Sequence, residues 1–341
     1  VPACLLQQRF LSAPDALAAE ALLALVTAEA DSLRATGAVA DFERGAAYAR
    51  SLQRITDLYA RGLFSDSARF HRMLDHVRVV RELASGSVRS SGGRLWPSAT
   101  PHLAWVDYGD LGPHFQPVST VQAVAYLVPR PGVPTESLTA MGDQLYDYAL
   151  WRTAQGRSFP VWEYLFPWSS GGVFQLPPWI SGLAQAYAII LFTACHERTG
   201  DVRWLARARQ VMHSLLVGWD EGGVLHPDTA DGYWWEEYHP TVAVWNGAAQ
   251  AVLALAQFAR ATPDEEVQRA LERGIAALKH RTAHYDTGTW TRYSATQGYN
   301  TVAYHRGSVE ILDHLYATTG DVWFKTVADR WRQYVPPPGV E

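Results

Sequence analysis

Apolar positions in this chain recur at helical spacing, and from residue 115 onward they do so in a repeated frame. Four segments share one short pattern: PVSTVQAVAYL, ISGLAQAYAIILF, WNGAAQAVLALAQF and HRGSVEILDHLY. Each places a small residue (Ser119, Gly182, Gly247 or Gly307) three positions ahead of Gln or Glu and then continues as an apolar helix. Breaks follow at 129–134, 199–201, 262–264 and 319–321, and a second helical pattern comes after each. The anchors recur at roughly sixty residues, a period that reads as stacked helical hairpins. A single hairpin cannot bury its apolar face, so successive hairpins must close on one another. The expected fold is all-α: an α/α toroid, incomplete or of six hairpins, whose inner helices begin at the anchors.

Glycine at an anchor lets inner helices approach closely, and the Gln or Glu lies one turn on, facing the same way. For Gln122, Gln185, Gln250 and Glu310 the plain reading is hydrogen bonding between helices, with Gln185 also carried as a candidate substrate contact. Helix N-termini gathered at one rim would offer free N–H groups to an anion. Upstream, residues 14–84 read as three amphipathic helices, with Ala19, Leu22, Leu23 and Val26 in period and Gly37 and Gly62 at the breaks. Residues 85–101, rich in Ser, Gly and Pro, read as a loop or linker, and 105–112 as a short strand or a loop. Little other β-signal is legible. The expected domains are an N-terminal helical segment, 1–100, packing as part of the barrel or against it, and a catalytic α/α barrel, 101–341.

Composition narrows the function classes. The 341 residues carry a net charge of −5, which gives no electrostatic footprint for nucleic acid. An anionic polymer would need a local basic patch. The longest apolar run, 183–195, is interrupted by Gln185 and is too short to span a bilayer. Cys4 and Cys195 are the only cysteines, so neither a disulfide framework nor a cysteine metal motif is expected. None of the 12 histidines belongs to an i, i+4 pair enclosing a carboxylate, so no metal and no cofactor is expected. No basic leader precedes the first helix, and the chain opens on Val1 rather than Met. Compartment and oligomeric state, a homodimer included, stay open.

Two stretches carry the candidate chemistry. The first, 222–247, reads GGVLHPDTADGYWWEEYHPTVAVWNG and holds Glu236, Glu237, Tyr233, Tyr238, Trp234, Trp235, Trp245, His239 and Asn246. Carboxylates among large aromatics are poor core material, because a buried charge needs a partner or a shifted pKa. They suit a sugar cleft that performs acid–base work. The bland reading is a Trp-rich loop plugging a barrel end. The second stretch, YDTGTWTRYSATQGYNTVAYHRG, holds Tyr285, Asp286, Trp290, Arg292, Tyr293, Tyr304, His305 and Arg306. A tyrosine becomes a useful base beside positive charge, and Arg292 or Arg306 could supply that charge while clamping a carboxylate. The competing reading for each of these tyrosines is a core ring with its hydroxyl satisfied.

The order of WISGLAQAYA, GGV, WWEEYHPT, WNG, LKHRTAHYDTGTWTRYS and AYHRGSVEIL resembles the C-terminal catalytic domain of D-glucuronyl C5-epimerases, over about residues 179–334. FQPVSTVQ, at 115–122, is more weakly similar to a Pro- and Gln-rich family segment. The resemblance implies a helical barrel acting on a heparosan-type polysaccharide, or a shorter sugar substrate, without a redox cofactor. The family's E-E-Y-P motif falls on Glu237 and Tyr238, the tyrosine opening its Y-D-L-R segment on Tyr293, and its Y-H motif on Tyr304 and His305. The implied arrangement puts Glu237 or Tyr238 on one face of the sugar and Tyr304 on the other. Tyr293 would then hold the substrate carboxylate. Arg292, Arg306, His305, Trp234, Trp235, Asn246 and Gln185 complete the implied substrate-binding set.

Three departures from the family pattern stand out. Thr296 replaces the arginine of the Y-D-L-R segment, His239 is inserted between Tyr238 and Pro240, and helices over 14–84 take the place of the family's β-rich domains. The missing β-rich domains point to a shorter or chemically different substrate, the lost arginine weakens the case for a uronate, and His239 could tilt the loop. Four other functions compete. A lyase would begin with the same proton abstraction, and a glycoside hydrolase would pair Glu237 with Asp231 or Asp286. The scaffold could instead serve another isomerisation or cyclisation, or act as a non-catalytic carbohydrate-binding module.

Overall fold

Phe70, Met73, Leu74, Val77 and Val80 fall at helical spacing and are all buried, giving a one-sided helix, α1 (Ser67–Ala84), in the computed structural model of the protein. The structure describes residues 67–341 apart from 171, 228–231, 236 and 237, together with isolated helical positions 21, 24, 28, 31, 32 and 35. Of the three helices expected over 14–84, the last is therefore seen. Of the first, only those isolated helical positions are described, and the second, with the breaks at Gly37 and Gly62, lies outside the described residues, as do Cys4, Asp231, Glu236 and Glu237.

The described residues form two compact units. One takes the chain up to Thr120 together with Tyr164–Phe166, and the other takes Val121–Glu163 and Pro167–Glu341. The division falls later in the chain than residue 100. In the first unit, α1 packs against an antiparallel four-stranded sheet, in the order β1 (Arg89–Ser91), β2 (Arg94–Trp96), β3 (Trp105–Asp107) and β4 (Pro113–Phe115). Part of this sheet occupies the stretch read as a linker. Strands of three residues are too short to show alternation, so the hairpin leaves only its Gly92-Gly93 turn as a signal. Trp105 is buried and donates its indole N–H to Thr100 Oγ1 at 2.9 Å. His76 of α1 meets the Trp105 ring edge-on at 5.4 Å and His114 at 4.7 Å, and burial lowers its pKa to about 3.

The second unit is dominated by helices. After a short helix, α2 (Pro117–Gln122), at the division between the units come α3 (Thr135–Asp147), α4 (Gly182–Thr199), α5 (Arg203–Met212), α6 (Trp245–Ala261), α7 (Glu265–Tyr285), α8 (Val302–Thr319) and α9 (Val322–Trp331). The hairpins α4–α5, α6–α7 and α8–α9 break where the repeat places them, and α4 and α6 begin at or close to their anchors, whereas α8 begins at Val302, more than a turn ahead of Gly307. In the first repeat the inner helix ends at Gln122. Ala125 bridges back to Pro129, and Arg130 Nε donates to the Gln122 carbonyl, so the run cannot continue as helix. Helix α4 packs against α6, and α6 against α8, forming an inner row; α5, α7 and α9 back their own partners. Every residue of α4 from Gly182 to Cys195 is buried, as expected of a helix enclosed on all sides. Burial also pushes the Cys195 thiol up to about 12, and its Sγ faces the Leu138 carbonyl.

The corners joining inner to outer helices are closed locally. Gly200 and Gly320 end α4 and α8 in the left-handed conformation, at φ of 71° and 72°, and donate back to His196 and Tyr316. Asp264 accepts from Glu266 N and Val267 N to start α7, and Asp321 accepts from Trp323 N to start α9. Packing is tight at Gly274 of α7, where a Cβ would lie 2.5 Å from ring carbons of Trp235, a residue ahead of α6 in the chain.

The second unit also carries strands, so the chain is mainly helical rather than all-α. β5 (Leu150–Ala154) and β6 (Arg157–Val161) form a hairpin through Gln155-Gly156, both at positive φ. β7 (Trp168–Ser170) pairs with β8 (Val173–Gln175), and β9 (Leu225–Pro227) with β10 (Tyr233–Trp235). No helix among the described residues is long and apolar enough to cross a membrane.

Candidate active site

The N-terminal ends of three inner helices converge on one group of aromatic side chains. Val244 is the N-cap of α6, Trp179 lies two residues ahead of the α4 cap Ser181, and Tyr304 sits in the first turn of α8. Tyr238, Val242 and Val244 form a buried apolar cluster, against which Trp168, Val173, Trp179 and Tyr293 pack. The Tyr293 ring in turn meets the ring of Tyr304 edge to face. Tyr238, Tyr293 and Tyr304 are thus brought into one continuous group from the two candidate stretches. Glu237, next to Tyr238 in the chain, lies outside the described residues.

Exposure changes across the group. Tyr238 is 5 % exposed and Tyr304 46 %, with Tyr293 between them in burial. Tyr238 donates its hydroxyl to Ser170 Oγ at 2.6 Å. Gln297 Nε2 donates to the same Ser170 oxygen at 2.8 Å and, at 3.4 Å, to Tyr238 Oη. Gln175 of β8 holds the Tyr238 carbonyl. The β7–β8 hairpin therefore grips this tyrosine at both its backbone and its hydroxyl. Neither Ser170 nor Gln297 is conspicuous in the sequence, because a neutral polar residue in a turn carries no chemical signature of its own.

The backbone around Tyr293 explains how it reaches the group. Trp245 N donates to the Tyr293 carbonyl, Ala295 N donates to the Val242 carbonyl at 3.1 Å, and Val244 bridges Ser294. Ser294 Oγ accepts from Thr296 N and Gln297 N, and Tyr293 N donates to the Gly298 carbonyl, forming a tight turn that presents Gln297. Thr296, at the place of the family arginine, is exposed on this turn. Ala243 takes φ +48°, a conformation an alanine adopts at a cost, and its carbonyl accepts the Tyr285 hydroxyl at 2.6 Å.

Arg292 and Arg306 neighbour this group along the chain, next to Tyr293 and just beyond Tyr304. Both are exposed, and neither pairs with a carboxylate of another described residue. The expectation of free helix N–H donors fails at α8, where Val302 N donates to the Glu341 carbonyl and Tyr304 N to Thr301 Oγ1. An anion here would depend on side chains.

Several sequence candidates lie elsewhere. Trp234 and Trp235 are buried: Trp234 stacks on Tyr285 at 6.0 Å, and Trp235 donates to the Leu215 carbonyl at 2.7 Å. They are core residues, because strand β10 turns both into the packing against α6 and α7. Gln185 is fully buried and donates to the Pro160 carbonyl and Ser214 Oγ, both at 2.9 Å, so it ties α4 to its neighbours. His305 stacks on Trp290 at 3.8 Å, with its ring nitrogens against Thr291 Oγ1 and the Trp331 carbonyl, and burial lowers its pKa. It braces α8 against the end of α9. The inserted His239 turns to Thr241 Oγ1 at 2.9 Å and to the Trp219 ring. Asn246 enters α6 half-buried, with a buried side-chain carbonyl oxygen that has no hydrogen-bond partner among the described residues. Asp286 accepts from Tyr334 at 2.6 Å, Trp331 at 2.8 Å and Gly288 N at 2.9 Å, and pairs with Arg330 at 2.5 Å. That makes it a structural hub rather than a hydrolase carboxylate. No group of three or more metal-ligating side chains is present among the described residues.

Stacked helical hairpins, with three tyrosines gathered at the N-terminal ends of the inner row, make up the fold and the candidate site. The model of the D-glucuronyl C5-epimerase C-terminus matches residues 155–333, and the chain belongs to that family. It is 25% identical to a D-glucuronyl C5-epimerase of Caenorhabditis elegans over 181 residues, covering 47% of this chain and 29% of that relative. The matched region thus spans under a third of the relative's length. Among solved structures, the chain is similar to a GH76 α-mannanase of Bacteroides thetaiotaomicron, with a TM-score of 0.42 and 12% identity over 79% of this chain and 71% of that one.

Proposed function

We propose that this protein is an isomerase that inverts C5 of a uronic acid residue, a D-glucuronyl unit in the first instance, within an oligo- or polysaccharide. The observation that carries the reading is the meeting of Tyr238, Tyr293 and Tyr304 in one group. C5 of a uronate lies next to a carboxylate, so its hydrogen is only weakly acidic. Removing it requires neutralising the carboxylate and holding a base on one face of the ring. Inversion then requires an acid on the other face. Tyr238, or the neighbouring Glu237, serves one face and Tyr304 the other. The C5–H bond breaks as an O–H bond forms on the base, the electron pair delocalises into the carboxylate, and the acid returns a proton from the opposite side. Tyr293 hydrogen-bonds the carboxylate, with Arg292 or Arg306 supplying the positive charge that Thr296 cannot. The inner row α4, α6 and α8, backed by α5, α7 and α9, fits an incomplete α/α toroid with the site at its inner-helix rim.

The test is incubation with uronate-containing oligo- and polysaccharides in deuterated water. Deuterium at C5, lost in Tyr304→Phe, is the expected result. No deuterium with any uronate substrate would overturn the reading.

A further inference from the structure

The Tyr238 hydroxyl is fixed by two side chains from two further segments, and their chemistry is specific. Ser170 ends β7, and Gln297 sits at the tip of the 293–298 turn; the three polar groups close a triangle at 2.6, 2.8 and 3.4 Å. Gln297 can only donate through its amide nitrogen, while a serine hydroxyl both donates and accepts and can rotate between the two roles. With Tyr238 as a phenol, its hydrogen points to Ser170 Oγ and Gln297 donates to both oxygens. With Tyr238 as a phenolate, Ser170 can turn its own hydrogen toward the phenolate oxygen while Gln297 keeps its N–H there. The same three residues satisfy both states, and the rearrangement needs only one hydroxyl rotation. A merely structural contact would not need the second donor. A buried phenolate without such donors would be strongly disfavoured, and Tyr238 is nearly completely buried.

We propose that Ser170 and Gln297 are positioning residues that hold Tyr238 in a state ready to exchange a proton, forming a hydrogen-bonded triad around its hydroxyl. The proposal rests on the epimerase reading for its role in turnover, but the triad itself concerns only the ionisation of Tyr238. In the reaction the phenolate takes the C5 proton, the C–H pair stays on the substrate, and the new phenol donates to Ser170. Ser170 and Gln297 undergo no net protonation change. Gln175, on the same hairpin, holds only the Tyr238 carbonyl, so it fixes the residue without touching its proton.

The experiment compares ultraviolet tyrosinate titrations of the full chain and Tyr238→Phe; their difference isolates Tyr238. The same difference is then measured in Ser170→Ala, Ser170→Thr and Gln297→Glu backgrounds, with circular dichroism checking the fold. Ser170→Ala and Gln297→Glu are each expected to move the Tyr238 midpoint up by about one pH unit or more, the size of one lost hydrogen bond to a charged group. Ser170→Thr, which keeps the hydroxyl, should restore most of the shift. The ascending, low-pH limb of C5 deuterium exchange should follow the midpoint, because the phenolate is the form that takes the proton. An unchanged midpoint in both folded variants overturns the triad, whatever the activity. A shifted midpoint in a protein that exchanges no uronate proton supports the triad and removes the epimerase reading instead.

Discussion

The rings of Tyr293 and Tyr304 meet edge to face, with centroids 5.2 Å apart and planes at 87°. That geometry is favourable for aromatic pairs. It ties the first turn of α8 to the loop that pairs with the start of α6. Tyr304→Phe keeps the ring contact and removes only the hydroxyl. Stability should change by no more than about 0.5 kcal/mol, as for an exposed site. C5 exchange should fall by about a hundredfold or more if the hydroxyl moves a proton. Thermal denaturation beside a deuterium-exchange assay separates the two effects, and retention of the parent rate removes Tyr304 from the chemistry.

Gly274 faces the Trp235 ring so closely that a methyl group has no room. Alanine is intrinsically the better helix former by about 1 kcal/mol, so the outcome depends on which term is larger. Trp235 is buried, and its N–H is fixed on the Leu215 carbonyl, so it cannot yield cheaply. Overpacking should dominate, and Gly274→Ala is expected to lose about 1–3 kcal/mol in denaturant unfolding. A gain in stability would show that the ring moves aside.

Asp286 gathers the end of α9 through Arg330, Trp331 and Tyr334. Burial pushes its carboxyl up, but the hydrogen bonds from Tyr334, Trp331 and Gly288 together with Arg330 outweigh this and leave it below the ordinary carboxylate range. With the folded value below the unfolded one, the stabilisation is present above the ordinary aspartate value of about 3.9 and is lost as pH falls through the folded value. Asp286→Asn should cost about 1–3 kcal/mol at neutral pH and flatten the most acidic part of the stability profile. An unaltered acid limb would contradict this.

His76 shows the complementary behaviour of a base. It is buried as the neutral ring, so the folded state resists protonation while the unfolded chain accepts a proton near 6.5. Its contribution to stability is present above about 6.5 and is lost progressively as pH falls toward about 3. Replacing it by Phe keeps a ring against Trp105 and His114. The variant should lose less stability than the parent between those two pH values, read from denaturant midpoints across the window. Parallel profiles would show that His76 does not titrate there.

The hairpins were legible because their information is local: an apolar period, a glycine or proline break, and an aspartate that caps the next helix. The tyrosines of the site were legible through the family motifs that hold them. The aromatic loop was harder to apportion, since composition cannot say which side of β10 faces inward. Trp234 and Trp235 therefore read as binding residues although they are core. Of the strands at 89–115 only Trp105–Asp107 fell in a stretch read as a short strand or a loop; the others were missed because three-residue strands have no room for alternation. Ser170 and Gln297 were missed for a different reason: their importance comes from a meeting across 127 positions of chain.

The helix corners at Gly200, Asp264, Gly320 and Asp321 are secured by bonds to residues within a few positions of themselves, at the ends of the inner helices farthest from Tyr304 and Val244. Fastening and the candidate site thus occupy opposite extremities of the same rods. Substitutions at the tyrosine-bearing tips leave the joints untouched, so the architecture can stay put while that end of the molecule changes.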